Sequence, residues 1–574
     1  MKKNVALIGI GPHAKRIYIN YLKTHRVNLK LVIELESNKD KTIEYLNQQG
    51  FVKTKLLFLP DEYKDNKHLP SHIFIELKKI CEELEINHIM ISTEPKAHYM
   101  YIEFALQNNI NVLTDKPITA NREMFSKLGA SEIKTDYYKL LKLEKNSLTS
   151  CKVMCQRQYH RGYELIKKIL EDTVYKYQIP ITNIEIFHSD GNWEMPHDIL
   201  KENHPYKYGY GKLFHSGYHF IDLLSDFIKI NDVLTENKKI VSADVYSKVY
   251  TPNDEINSIT IDDYKNIFKK QTIPDYYYNN EHPKFDKFGE KDYHGLLTFY
   301  NNSGFTITTA SLNLLHNGVS RRAWIETRDF YKQNGRIRHE RVNIEIGHLM
   351  NIQVHSYQSK EISERTSNEE NVGGLEHFDI YIFRNPIIGG LPFEEIHLGD
   401  LYTEKEKKEF LGYNELSREL FLDNFFKGNT CKGDIKDQAL AIEILYACAK
   451  GIHDQYYHEN PIEKINVRNK YTYRFISKSL KKYCKYTNRN LEKKLINSTI
   501  EYKDIYTFHA YLQYIPKLNS YDSYLAIDDT KNIASGLLSK NFKSKFLATM
   551  YFKILNLLIK SKNIKLIEYL VENS

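Results

Sequence analysis

Asn4-Val5-Ala6-Leu7-Ile8-Gly9-Ile10-Gly11-Pro12-His13-Ala14 runs a short apolar segment into a G-x-G-x-x-A turn, and a helix-like stretch from Lys15 to Leu22 follows. Each small residue answers a physical need. Gly9 permits the tight turn out of the strand, Gly11 lets backbone approach a pyrophosphate, and Ala14 keeps helix and strand close. The helix start then offers unpaired N–H groups to the anion. Standing alone the pattern is weak, because small residues recur in many turns. Directly after an initial strand it points to a dinucleotide-binding βαβ unit.

Further along, a second strand from Leu29 to Leu35 ends at Glu36, 22 positions past Ala14. A carboxylate there grips the adenosine ribose hydroxyls. Ser37, Lys39 and Lys41 stand beside it. The carboxylate repels a 2′-phosphate, whereas the serine and lysines accommodate one, so NAD is favoured and NADP stays open. A further strand, Asn87 to Thr93, gives way to Glu94-Pro95-Lys96-Ala97-His98 and an apolar helix from Tyr99 to Gln107. Asn111-Val112-Leu113 follows as the next strand and leads into Thr114-Asp115-Lys116-Pro117. Such alternation of strand and helix predicts a parallel sheet. Lys116 then falls at the carboxyl edge, where ligands of open α/β sheets bind. A Lys-Pro pair without these neighbours reads as a solvated turn.

Taken together, the G-x-G-x-x-A turn, Thr93-x-Pro95-x-x-His98 and Asp115-Lys116-Pro117 resemble the glucose–fructose oxidoreductase / inositol dehydrogenase (Gfo/Idh/MocA) family, whose last motif is usually Glu-Lys-Pro. The family's second signature is a glycine-rich run followed by Asp-x-Gly-x-His-x-x-Asp. Its counterpart is Gly209-Tyr210-Gly211-Lys212-Leu213-Phe214-His215-Ser216-Gly217-Tyr218-His219-Phe220-Ile221-Asp222. His219 matches the family histidine that exchanges the hydroxyl proton, Asp222 matches the trailing aspartate, and His215 replaces the first aspartate. The resemblance implies an NAD(P)-dependent oxidoreductase acting on the CH–OH group of a sugar, sugar derivative or cyclitol.

In that chemistry hydride leaves a carbinol carbon as the hydroxyl proton departs. His219 suits the base, since an unperturbed imidazole titrates near ~6.5. Lys116 suits the cation that stabilises an alkoxide in a partly dry cleft. His215 joins them as a catalytic candidate, although a neutral imidazole cannot supply the charge of the family carboxylate. Gly9, Gly11, Ala14, Glu36, Ser37, Thr93, Pro95, His98 and Lys116 are the cofactor candidates. Arg157, Trp193, Tyr210 and Asp222 are the substrate candidates, Asp222 more as a support for its helix than as a reacting group. The rival reading is a non-catalytic dinucleotide- and ligand-binding sensor or scaffold, which His215 in place of the aspartate keeps open.

His215 and His219 are four apart, a spacing that binds zinc on one helical face, yet no cysteine or carboxylate motif completes a site and no metal is expected. The tract His188 to Tyr210 is crowded with Trp193, His197, His204, Tyr206 and Tyr208. It reads equally as a stacking wall for a sugar ring or as a covering loop.

At 574 residues the chain exceeds one typical domain. The expected fold is α/β: a Rossmann domain over 1–156, an α+β domain with an open, mainly antiparallel sheet over 157–460, and a helical extension over 467–574. The polar stretch 121–147 reads as an insertion that breaks the rhythm of the first domain. Strands are expected at 296–300, 305–311 and 323–327, and the segment 253–290 reads as an excursion from the sheet. The extension carries 20 Lys+Arg against 8 Asp+Glu, a net +12, while the rest of the chain carries 61 against 65. A solvated helical appendage is the leading reading of it, and a dock for an acidic or anionic partner is the other. Self-association through the second-domain sheet is a further expectation. No run reaches the roughly 20 apolar residues that cross a bilayer. Cys81, Cys151, Cys155, Cys431, Cys448 and Cys484 form no framework, which suggests reduced thiols in a cytoplasmic protein.

Overall fold

A computed structural model describes residues 3–120, 124, 126–194, 199–200, 205–268, 285–319, 337–359, 376–408, 413–428 and 432–467. The expected strand at 323–327, His197, His204, and the extension beyond Val467 lie outside these residues.

The first sheet holds β1 (Asn4–Ile8), β2 (Asn28–Leu35), β3 (Lys55–Leu59), β4 (His88–Ile91), β5 (Asn111–Thr114) and β6 (Cys151–Val153). They lie in the order β3-β2-β1-β4-β5-β6, every pairing parallel. Every residue of the central β1 is buried. That is why it reads as a continuous apolar run rather than an alternating one. The strand order reverses beside β1, so the β1 and β4 carboxyl ends open a crevice at the point where such folds bind ligands.

The stretch 121–147 is corrected by the structure. Lys127–Asn146 is a long helix that crosses from β5 to β6, and Ser126 caps it by accepting from the Gly129 N–H at 2.9 Å. Ala130, Ile133, Tyr137 and Leu140 form its buried stripe. Helical spacing of those four positions outweighs the charge around them. The rhythm of the sheet continues through it.

The second sheet takes β7 (Asn183–Ser189), β8 (Ser242–Tyr250), β9 (Asp292–Tyr300), β10 (Thr306–Leu315), β11 (Ile337–Ile346), β12 (Met350–Ser359), β13 (Glu376–Arg384), β14 (Phe393–His397) and β15 (Ile462–Asn466). Their order is β14-β13-β12-β11-β7-β10-β9-β8-β15. All pairings are antiparallel except β7 with β10. The expected strands 296–300 and 305–311 fall in β9 and β10. The segment after β8 leaves the sheet as the helices Pro252–Ser258 and Ile261–Phe268. Alternation along β8 buries Ala243, Val245, Ser247 and Val249 on one face only. Helices Tyr218–Ile230 and Ala439–Tyr456 cover that face, and β15 prolongs the sheet edge as far as Val467, whose N–H donates to Val241 O at 2.9 Å.

Helix Tyr413–Lys427 packs on the first sheet. Its Phe421, Leu422, Phe425 and Phe426 enter one apolar cluster with Val5, Leu7, Ala14, Tyr18, Met90 and Leu113. Burial of a large side chain of this kind stabilises by roughly 1.5–3 kcal/mol each. The Tyr21 hydroxyl donates to Asp423 at 2.7 Å across the same contact. The helix also packs on the turn Gln156–Tyr159, which follows β6. Among the described residues no helix is long and apolar enough to cross a membrane, and Cys81, Cys151, Cys155 and Cys448 are unpaired and buried.

Candidate active site

Gly9 leaves β1 at φ +84, and a Cβ there would meet Ser92 O at 2.6 Å, so the turn needs glycine for backbone reasons. Gly11 differs. Its backbone is ordinary and extended (φ −73, ψ 178), and a Cβ would meet nothing within 4 Å. Neither strain nor packing within the chain requires a glycine there, so the open space beside it is a cradle for something else. The helix that begins at Pro12 starts at this cradle, with Ala14 fully buried against the sheet. A pyrophosphate fits such a place by chemistry as well as by space.

The carboxylate at this turn is Glu34. Its Oε2 accepts from the Ile10 N–H at 2.7 Å, inside the glycine loop. Glu36 instead pairs with Lys39 at 2.9 Å on the surface, its side chain 53% exposed. Ser37 is engaged by Asp61 through both its hydroxyl and its N–H. Sequence reasoning passed over Glu34, although it stands 20 positions past Ala14 and so satisfies the spacing at least as well.

Past β4, the His98 ring lies between Pro117 O at 2.9 Å and Thr93 O at 3.1 Å. It is fully buried, and loss of water holds its pKa below the ordinary value. His98 thus ties the Thr93-Pro95 loop to the Lys116-Pro117 loop, whose peptide is cis. Asp115 is held from three sides. The Tyr18 hydroxyl donates to one oxygen, Ser92 Oγ donates to the other at 2.7 Å, and His13 Nε2 lies 3.6 Å away. Lys116, half-buried, donates through Nζ to the backbone carbonyl of His215. Burial brings its pKa down to about 8, with Asp115 and Asp190 opposing the fall.

The partner strip comes from the second sheet. Leu213–Gly217 is a wide helical turn that feeds the helix Tyr218–Ile230, and it carries His215 and His219. His219 is buried, and its Nδ1 has no hydrogen-bond partner. Loss of water, followed by the charges of Lys116, Arg157, Arg418 and His13, pushes its pKa well below the ordinary histidine value. The His215 side chain is exposed, and what this residue gives Lys116 is its carbonyl. Its ring centroid lies 6.0 Å from that of His316. A carboxylate is nevertheless present. Asp190, just past β7, accepts from buried Lys212 Nζ at 2.6 Å and from Ser216 Oγ at 2.7 Å. Lys212 also reaches His188 Nδ1 at 2.8 Å.

The expected substrate residues separate. Arg157 gives both terminal nitrogens to Glu340, at 3.1 and 2.8 Å, and stacks 4.2 Å over the Phe220 ring. Trp193 is half-buried beside Tyr264. Tyr210 is 1% exposed and donates to Glu94 at 2.9 Å, so it clamps the two sheets together rather than presenting a ring face. Tyr206 is likewise interior. Asp222 accepts from Gln158 at 2.9 Å and from Gln438 at 2.8 Å in the core, and it is a structural carboxylate. Arg418, on helix Tyr413–Lys427, was not singled out from the sequence. It shifts His13, Lys116 and His219 alike. It lies about 300 residues from Lys116 in the chain, and nothing local announces it.

With this arrangement in view, residues 3–138 match the oxidoreductase family with an NAD-binding Rossmann fold, Gfo/Idh/MocA. The amino-terminal domain belongs to that family. That match makes residues 3–138 an NAD-binding Rossmann domain of an oxidoreductase. No curated protein matches the chain. Among solved structures it is similar to an oxidoreductase from Agrobacterium radiobacter in complex with NAD+, L-tartaric acid and magnesium. That similarity has a TM-score of 0.47 and 10% identity, over 81% of this chain and 99% of that one. The WlbA dehydrogenase from Bordetella pertussis in complex with NADH and UDP-GlcNAcA gives 0.46 and 12%, over 82% and 98%. An NAD-binding oxidoreductase from Klebsiella pneumoniae gives 0.46 and 11%, over 82% and 100%.

Proposed function

We propose that this protein moves hydride between a nicotinamide cofactor and the carbinol or carbonyl carbon of a sugar, sugar derivative or cyclitol. The observation that carries the reading is the anchoring of Lys116, from the nucleotide sheet, on the wide turn that leads into His219. Cofactor contacts fall to the open cradle at Gly11, the N–H groups that begin the helix at Pro12, and Glu34 for the ribose hydroxyls. Bound there, the nicotinamide supplies the hydride acceptor or donor.

The chain's own part is positioning, charge and proton movement. Lys116 is mostly cationic at neutral pH, and its ammonium stabilises the negative charge that builds on the substrate oxygen. His219, kept neutral by its surroundings, takes the hydroxyl proton during oxidation and returns one during reduction. Asp115 stays fixed beneath them through Tyr18 and Ser92.

The test is turnover of a panel of sugars and cyclitols with NAD+ and NADP+, followed by Lys116→Met and His219→Ala. Each variant should lose roughly 10²-fold or more in kcat, with NADH affinity kept. Full activity in both variants would reject these roles. The same reading assigns the outer face of the second sheet, where Tyr246, Leu296, Phe383 and Phe393 are exposed, to self-association. Light scattering that shows a monomer at working concentration would reject that part.

A further inference from the structure

Three cations surround His219, and the acids near them do not consume all three. Asp115 is taken by Tyr18 and Ser92, Asp190 by Lys212 and Ser216, and Glu340 by Arg157 and Tyr163. Arg157 keeps a buried Nε with no partner. Arg418 is more open still. Its side chain is only 12% exposed, its Nε is buried with no partner, and its contact with Glu415 is one 3.3 Å bond to a carboxylate that is 30% exposed. Helix Tyr413–Lys427 packs on Gln156–Tyr159, which brings the walls carrying Arg418 and Arg157 together. His219 Nδ1 also has no partner and, in the neutral ring, is free to act as donor or acceptor according to tautomer. Buried donors normally find acceptors, so the unmet Nε of Arg418 points to an acceptor brought by a ligand.

We infer that the substrate carries an anionic group on its sugar-like frame, a carboxylate or a phosphate ester, and that Arg418 receives it. The inference rests on the reading of Lys116 and His219 as the reacting pair. A guanidinium presents a planar fork of donors that matches either oxyanion, and it stays charged when buried. The charges acting on His219 agree. Lys116, Arg157, Arg418 and His13 all lower its affinity for a proton. Burial is the larger cause of that fall, and an anion beside Arg418 offsets the cationic part of it and makes proton uptake easier. Arg418 also acts on Arg16 and Tyr18, on the helix that starts at the cofactor cradle. A cofactor phosphate is therefore the competing occupant.

The experiment is calorimetry on the full-length protein saturated with NADH, with glucuronate, glucose 6-phosphate and glucose as probes. One of the two anions should bind at least roughly tenfold tighter than glucose, and which one does identifies the group. Arg418→Gln should cut that preference by roughly 10- to 100-fold, the range of a hydrogen bond between charged groups. Arg418→Lys should cut it less. NADH affinity, read by fluorescence, should stay within about threefold. Glucose binding as tightly as both anions, no binding of any probe, or a preference that survives Arg418→Gln would overturn the inference. A loss of NADH affinity in Arg418→Gln would overturn it in favour of the cofactor phosphate. Turnover of neutral sugars alone would refute this inference and leave the proposed function standing. Absence of NADH binding and of all turnover would refute the function itself.

Discussion

Gly11→Val separates folding from cofactor binding. Gly11 has φ −73 and ψ 178, a conformation open to any residue and the one favoured before proline. A Cβ there meets no atom within 4 Å. Two small terms act on stability in opposite directions. Valine is a poorer residue than glycine at a helix N-cap, and it also restricts the unfolded chain, which stabilises by about 0.4–1 kcal/mol. The apo protein should therefore keep its stability within about 1 kcal/mol and its melting temperature within about 4 °C. Cofactor binding should collapse, because the new side chain fills the cradle and holds the pyrophosphate away from the helix start. Loss of one or two charged hydrogen bonds at about 1.5–3 kcal/mol each gives a fall of roughly 10- to 10⁴-fold in NADH affinity. Gly9→Ala is the control with the reverse outcome. Its φ of +84 and the 2.6 Å approach to Ser92 O make it a folding defect. Fluorescence titration with NADH and melting of the apo forms read both effects. NADH bound by Gly11→Val with wild-type affinity would refute the placement of the pyrophosphate, and an unfolded Gly11→Val would refute the claim of open space.

Four other outcomes follow from the same geometry. Burial lowers the Lys116 pKa from 10.5 to about 8, so activity that needs its cation is present below pH 8 and falls as pH rises through it. Stability moves the other way, rising between pH 8 and 10.5, because there the unfolded chain holds a proton that the folded one has released; a pH–rate profile with no fall near 8 would count against the cation's role. Glu34→Gln should weaken NADH binding by roughly tenfold, the scale of one charged hydrogen bond, while Glu36→Gln leaves it alone; the reverse order in a titration would return the ribose to Glu36. His215→Asp adds a carboxylate beside Lys116 and should move the alkaline fall of the pH–rate profile upward by about one unit; an unmoved profile would place the side chain away from the lysine. Ending the chain after Val467 keeps the β15 pairing with β8 and should leave NADH affinity unchanged, while any binding of the full chain to anionic vesicles is lost on truncation and falls steeply with salt; aggregation of the shortened protein would show that the extension covers part of the fold.

What could be read from the chain was what stays close together along it. The β1 run and its glycines lie within eleven residues, and Lys116 follows its strand directly. The choice between Glu34 and Glu36 is different. Spacing from Ala14 admits both, and what distinguishes them is the pairing of Ile8 with Ile33, which sets the residue after Ile33 beside the glycine loop. That register is a contact between strands, and counting along one chain does not resolve it. Over 121–147 the signal was present but outweighed: lysines and glutamates drew the eye while Ala130, Ile133, Tyr137 and Leu140 kept the helical period. In β11 and β12 the alternation is plain once seen, with Val342, Ile344, Ile352 and Val354 inward and Arg341, Asn343 and Gln353 between them. Arg418 had no local signal, since its value comes from a helix that packs across to a strand 300 residues earlier.

The departure at His215 has a physical consequence beyond one lost carboxylate. Lys116 is gripped by a backbone carbonyl, which does not titrate and which tolerates any side chain at that position. Negative charge is supplied from elsewhere: Asp115 from beneath, and Asp190 from the end of β7. Asp190 must also satisfy Lys212, buried at 0% exposure in the glycine-rich run. Part of its field is spent on that partner, so the support that reaches Lys116 is weaker than that of an undivided carboxylate. Burial holds the lysine at about 8, not near 10.5, against the pull of both carboxylates, still cationic at neutral pH yet close enough to neutrality to respond to a nearby charge. A substrate anion held at Arg418 would bring charge of the kind this cleft has moved away from the reacting pair. It would raise the proton affinities of Lys116 and His219 together, so that binding the right substrate is also what sets the protonation of the groups that act on it.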